Sequence, residues 1–471
     1  MKVTFVYPSI ADCGFKSPYK DILMRYIHHG ICYLSACAKK EGFETALLDL
    51  RQFSGWEEFE GAVRKSPPLI AAVTLMSPDY SYAMKCVDIV KRAGKNSTVI
   101  VGGIHPTIRS EEMAANPGID YIVKGEGEVS FIELLKNIRD GRPSERIIEG
   151  RKAEINDLPF IDRYLFDCLE YPFDSFLKLP FFTIMAGRGC SYNCKFCAPA
   201  SKLVHGKGSR RRSVTSVIEE LKLLRDKYGM GSFMFHDDCF TEDKEWVLEF
   251  CGRYRDEDFK QDFICQTRAD IICKNPDMIK KLAKSGLRMA MVGFESGNDR
   301  VLKFIGKAVT LKQNLTAARI CKANGIRIWA LHMYGLPTET NDEARDTVRM
   351  IKRIRPYRAS AAFFTPHPGS YLYDYCKANS LSLIDDHDDF VAVPEEDKPK
   401  IKGIDYDFMR KAAVESKALP LESRITMKLD RMFRQRANRK YLRLFRALEK
   451  ENPLMHKLDI LNLIKDKYSN A

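Results

Sequence analysis

The sequence predicts an α/β protein in three parts: an N-terminal Rossmann-like doubly wound parallel sheet, a partial (β/α)6 barrel, and a mostly helical C-terminal tail. Three observations lead there. Short, nearly continuous apolar runs alternate with helix-period segments over residues 1–150. The alternation resumes near residue 181, after a stretch rich in Pro, Asp and aromatics. From about residue 386 the strand-like runs stop. Strands that are apolar on both faces belong to parallel sheets covered by helices on each side.

In the first part the strand candidates are 3–9, 44–50, 69–76, 97–103 and 120–127, with helical patterns such as "SYAMKCVDIVKRAG" between them. Open sheets of this kind bind ligands beyond the C-terminal ends of their strands. Residues 151–180 read as a connector. The strand candidates of the second part are 181–188, 232–238, 263–270, 288–296, 326–337 and 360–369. Six strand–helix units make a partial or full barrel over 181–385, with its chemistry at the C-terminal strand ends. The region 386–471 is helical and basic. Residues 421–450 hold ten Lys or Arg against three Asp or Glu, with an apolar stripe at helical spacing that is interrupted in the middle. Such a stripe either packs on its own protein or meets an anionic membrane surface or acidic partner.

The chain has 471 residues, is 45% hydrophobic and 30% charged, and carries a formal charge of +13. No run approaches the roughly 18 apolar residues of a membrane span. The N-terminus reads as a first strand rather than a signal peptide, so the expected location is cytoplasmic, peripheral to a membrane if the basic tail binds one. No nucleic-acid-binding module is recognisable, and the charge alone does not argue for that partner. Of the 14 cysteines, most are scattered in apolar patterns and read as small buried hydrophobes.

Three are different. "GRGCSYNCKFCAPA" places Cys190, Cys194 and Cys197 in a Cys-x3-Cys-x2-Cys spacing just after the first barrel strand. Thiolates suit iron–sulfur clusters. Zinc normally takes four protein ligands in a structural site, and no fourth Cys or His follows at zinc-like spacing. This trio, with Phe196 before the last cysteine, resembles the radical S-adenosylmethionine (SAM) signature. The resemblance implies a [4Fe–4S] cluster whose open iron chelates SAM, and cleavage of SAM to a 5′-deoxyadenosyl radical. It further implies SAM contacts at strand ends: Asp237 and Asp238 to the amino group, Arg268 to the carboxylate, Glu295 to the ribose, and Gly335 and Pro337 on the adenine side. Each has a plainer reading as a cap, salt bridge or turn residue; Thr241 is the expected cap after "HDDCF". A flavodoxin or ferredoxin reductant is implied as well.

The first part resembles the cobalamin-binding domain that precedes the barrel in one subfamily. The similarity lies in the domain order and in "VGGIHPT" and "VKGEGEVSFIELL". It implies cobalamin contacts at Gly102, Gly103, Thr107, Gly125 and Glu126. Many cobalamin domains carry Asp-x-His-x-x-Gly after their first strand; here "YPSIADCGFKSPYK" contains no His. His28, His29 and His105 lie nearby, as structural or contact residues, and His332 and His367 face either the barrel mouth or its core. The implied activity is methylation of an unactivated carbon of a small-molecule or lipid substrate. A radical cyclisation, ring contraction or coupling is one alternative; a non-catalytic iron–sulfur protein is the other. The sequence singles out no catalytic acid or base.

Overall fold

Branched and aromatic runs become the strands of two parallel sheets in this computed structural model. It describes residues 1–8, 15, 26–168, 170, 176–197, 200–390 and 398–468. The first sheet holds β1 (Lys2–Tyr7), β2 (Glu44–Asp49), β3 (Ile70–Thr74), β4 (Thr98–Gly102), β5 (Tyr121–Lys124) and β6 (Ile147–Glu149). Its order is β2-β1-β3-β4-β5-β6 and every neighbouring pair is parallel. Helices cover both faces, as the apolar strands require. Phe5, Ile31, Phe131 and Leu135 fill one layer, and Val6, Phe59, Val87 and Val101 the other. The chain reverses direction across the sheet between β1 and β3, and that switch point opens a crevice at the C-terminal strand ends.

The second half contributes β7 (Phe181–Ile184), β8 (Gly187–Arg188), β9 (Arg210–Arg211), β10 (Ser232–Phe235), β11 (Asp262–Thr267), β12 (Leu287–Glu295), β13 (Arg327–Tyr334) and β14 (Arg358–Phe363). Six of them form a parallel sheet in the order β14-β13-β12-β11-β10-β7, an open barrel of the predicted kind. β8 and β9 pair separately as an antiparallel ribbon. Neither this two-residue ribbon nor the three-residue β6 was legible in the sequence, because both are too short to carry a period.

The tail segment with the interrupted apolar stripe is helical as expected, and Leu421–Glu451 is one helix of 31 residues. It contains no Gly or Pro to break it. Its apolar side changes partners along its length. Met427, Tyr441 and Leu442 pack with Phe181, Met234, Ile264, Met291 and Trp329, which come from successive barrel strands. Phe445 and Leu448 are buried in the main barrel core. Asn438 binds backbone on both sides, accepting from the Leu179 amide and donating to the Leu177 carbonyl, and Arg327 pairs with Asp430 at 2.8 Å. The tail helix therefore serves as the floor of the barrel, while Ile425, Leu429 and Met432 remain exposed. Among the described residues, no helix is long and apolar enough to cross a membrane.

Candidate functional site

β7 leads through Met185 and Ala186 into the ribbon strand β8 and then into the cysteine loop. Glycine is required twice on the way. At Gly187 an added Cβ would meet the Arg210 carbonyl oxygen at 2.8 Å, and at Gly189, where φ is +78°, the Gly208 oxygen at 2.6 Å. The loop is then held from two sides: the Lys195 amide donates to the Ile305 carbonyl, and the Lys195 carbonyl accepts from the Leu372 amide. Cys194 is buried, Cys190 half-buried and Cys197 exposed. Partial burial, then the Glu242 and Asp238 charges, hold the Cys190 thiol above its ordinary pKa. Among the described residues the trio is not gathered into a group whose ligand atoms all lie within 4.8 Å, as one small ion would need. Three thiolates that each take a different iron of a cluster need no such convergence, so the donor set fits a [4Fe–4S] centre.

Arg268 closes on this loop. Its Nη1 lies 3.4 Å from the Cys194 sulfur, and its guanidinium stacks 3.6 Å above the Tyr192 ring. Asp270 and the Lys307 carbonyl take its other donors. Phe196 packs into the apolar group of Val301, Leu302 and Ile305.

The paired aspartates separate. Asp237 is buried; it accepts from the Ala186 amide at 3.0 Å and pairs with Arg211, and burial pushes its carboxyl up to about 6. It ties β10 to the ribbon. Asp238 is exposed beside the cysteine loop. The cap of the following helix, Lys244–Asp256, is Asp243, whose side chain accepts from the Trp246 amide. Thr241, the expected cap, instead hydrogen-bonds Thr267 in the interior.

Glu295 ends β12 with a left-handed backbone, φ +60°, and is held by a buried 2.8 Å ion pair to Lys307. Gly335 also has positive φ, +74°. Its amide and that of Leu336 both donate to one oxygen of Glu339. Burial pushes the Glu339 carboxyl up to about 8. Lys307 and Glu339 were missed in the sequence, where each is one of many charged residues with nothing to mark its burial. His332 binds Ser416 on the helix Tyr406–Lys417, so it faces that helix rather than the barrel mouth.

At the switch point of the first sheet lies a cavity of about 290 Å³. Phe5, Thr74, Leu75 and Met76 line it from the first two central strands, Gly102 and Gly103 from the next, and Gly125 to Glu128 from the loop after β5. Met185, Arg188 and His205 close it from the barrel side. Gly103 has φ +110°, and a Cβ there would strike the Leu75 carbonyl oxygen at 2.8 Å. Thr107 braces the two glycine loops: its hydroxyl donates to the Gly103 carbonyl and accepts from the Gly125 amide. Glu126 joins the domains, meeting Arg188, His205 and Arg210. Its Oε2 is buried with no hydrogen-bond donor, an acceptor that the amide arms of a corrin can satisfy. Glycine-walled backbone and mostly apolar lining suit a large flat ligand, so these residues fit cobalamin.

Two of the histidines near this cavity, His28 and His29, are engaged structurally. His28 caps the helix His29–Lys40 through Nδ1, and His29 bonds Thr183 of the barrel. The loop "YPSIADCGFKSPYK" lies almost wholly outside the described residues.

Comparison with known proteins agrees with the domain order and the fold. Residues 184–351 match the family model of the radical SAM superfamily, and residues 22–135 that of the B12 binding domain. An uncharacterized methyltransferase of Pyrococcus horikoshii is 30% identical over 370 residues, covering 75% of this chain and 79% of the relative. The anaerobic magnesium-protoporphyrin IX monomethyl ester cyclase of Rubrivivax gelatinosus is 24% identical, covering 79% of this chain and 69% of its own. Among solved structures, the radical SAM methyltransferase TsrM from Kitasatospora setae superposes with a TM-score of 0.61 at 17% identity, covering 80% of this chain and 76% of that one. The cobalamin-dependent SAM radical enzyme OxsB gives the same score and identity, and this chain spans 55% of it. On the two matched domains, in this order, and on the relative shared over most of both chains, the protein belongs to the cobalamin-binding subfamily of radical SAM enzymes.

Proposed function

We propose that this enzyme transfers a methyl group to an unactivated carbon of a small-molecule substrate. The observation that carries the reading is the cavity shared by the two domains. It runs from the glycine loops of the first sheet to Met185 and Arg188, within a few residues of the first cluster cysteine. Two cofactors that act on one substrate have to open onto one pocket. The methyltransferase relatives support the same reading.

When bound, the cluster supplies one electron to the SAM sulfonium and cobalamin supplies a carrier for the methyl group. The chain's residues then have distinct tasks. Cys190, Cys194 and Cys197 hold three irons. Arg268, fixed by Tyr192 and Asp270, offers positive charge to the Cys194 thiolate and to the SAM carboxylate. Asp238, exposed where Asp237 is not, takes the SAM amino group. Glu295, oriented by its ion pair to Lys307, accepts from the ribose. Gly335 and Pro337, in a turn closed by Glu339, flank the adenine. Gly102, Gly103 and Gly125 let the corrin approach the backbone, Thr107 holds those loops in place, and Glu126 locks the first domain onto the barrel. The corresponding units are residues 1–150, 151–180, 181–385 and 386–471, supported by strands that end at Glu149 and resume at Phe181. A flavodoxin or ferredoxin is the proposed reductant. A lipid substrate, and membrane contact through the exposed apolar residues of the tail helix, rest on that helix's basic face.

The test is anaerobic purification, cluster rebuilding and cobalamin loading, then turnover with SAM and reductant over candidate substrates. S-adenosylhomocysteine formed with 5′-deoxyadenosine, and a methyl carbon on the product, support the proposal. 5′-Deoxyadenosine without S-adenosylhomocysteine sinks it in favour of radical cyclisation, the reading that the cyclase relatives favour.

A further inference from the structure

We propose that His105, Glu112 and His387 form a second metal site, distinct from the cysteine loop, that takes one divalent cation of the zinc class and clasps the segment after the barrel onto the first domain. His105 lies in the short helix Ile104–Ile108, directly after Gly103, and Glu112 in the next, Ser110–Ala115. His387 opens the turn His387–Phe390, far away in sequence. Yet one ligand atom from each lies within 4.8 Å of the other two.

The His105 ring is left with one unsatisfied nitrogen. The residue is 0% exposed. Its Nδ1 lies 3.0 Å from the Ser77 hydroxyl, and its buried Nε2 has no hydrogen-bond partner. That Nε2 points at Glu112 Oε2 from 3.8 Å, too far for a hydrogen bond. In the tautomer that donates Nδ1–H to Ser77, the one a metal at Nε2 selects, the Nε2 lone pair faces the carboxylate. A metal ion between them turns both into ligands.

The surroundings suit that ion. His387 Nε2 lies 2.7 Å from Glu112 Oε1, and its ring stacks on Tyr80 at 3.7 Å. Tyr80 also meets His105 edge-on, so one aromatic wall positions both imidazoles. Bonds of about 2.0–2.1 Å to a tetrahedral zinc put neighbouring ligand atoms about 3.3 Å apart. The 3.8 Å separation runs to Oε2 and the 2.7 Å one to Oε1, so a rotation of the Glu112 carboxylate that turns one oxygen toward both rings would set that spacing. Two imidazoles and a carboxylate are borderline donors for zinc, with water as fourth ligand. Ser77 acts as the outer partner that orients a ligating imidazole.

The experiment uses the full-length enzyme with cluster and cobalamin in place. It is incubated with zinc sulfate, passed over a weak chelator, and assayed for zinc, iron and cobalt. One zinc per chain is expected, with two nitrogen-type imidazole ligands, oxygen and no sulfur in its X-ray absorption spectrum. Glu112→Gln and His387→Ala lose the zinc while keeping iron and cobalt, and Ser77→Ala weakens zinc binding by about 10–100-fold. No retained zinc, equal zinc in the wild type and both ligand variants, or sulfur in the zinc shell would overturn the proposal.

Discussion

The Arg268 guanidinium stands 3.4 Å from the Cys194 sulfur, the most buried of the three proposed cluster thiols, and packs flat on Tyr192. A fixed positive charge against one cluster ligand stabilises the more negative, reduced cluster. Arg268→Gln is expected to keep four irons but move the midpoint potential to more negative values, read by an electron-paramagnetic redox titration. An unchanged potential would leave Arg268 with a structural role only. Cys194→Ala is expected to abolish both the cluster and SAM cleavage; retained cleavage would remove the basis of the functional reading.

Lys307 and Glu295 form a buried pair whose side chains are 7% and 10% exposed. Removing one partner leaves a buried charge, which costs about 3–5 kcal/mol. Lys307→Met should lose about that much in denaturant unfolding. The double variant Lys307→Met/Glu295→Gln should recover part of it while still binding SAM poorly.

Glu339 carries a pH signature. Its folded carboxyl is raised to about 8 from an unfolded value near 4.5, by burial. A raised folded pKa means that its contribution to stability is fully present below about pH 4.5 and is lost as pH rises through 8. The enzyme should therefore lose stability between those values, and Glu339→Gln should flatten that part of the profile in thermal melts. A wild-type slope equal to the variant's would contradict the burial argument.

Phe445, 3% exposed, anchors the tail helix in the barrel core. Phe445→Ala should destabilise the protein by about 3–5 kcal/mol, measured by chemical denaturation. A loss below about 1 kcal/mol would mean that the helix is not an integral floor of the barrel. Anionic-vesicle sedimentation of an Ile425→Ser/Leu429→Ser/Met432→Ser variant separately tests membrane contact through the exposed face.

Glu126 should behave as an interdomain tie. Glu126→Ala leaves Arg210 and His205 without their shared carboxylate. The expected result is faster loss of cobalamin on gel filtration with iron content unchanged. Equal retention would mean that Glu126 does not hold the first domain's cavity against the barrel.

The sequence by itself determined the strand–helix alternation, the parallel sheets it demands, and the cysteine trio, because each is written in local spacing. It also placed Asp237, Asp238, Arg268 and Glu295 at strand ends. Which of those carboxylates is spent on structure was decided only by tertiary contact. Asp237 turns inward to the Ala186 amide and Arg211, while its neighbour stays open. Lys307, Glu339, Arg210 and the cluster of His105, Glu112 and His387 were invisible for the same reason. Their meaning lies in burial and in partners brought from distant positions in the chain. Period and spacing record where the backbone runs, but the cost of burying a charge, and the partner that offsets it, exist only once the chain has folded.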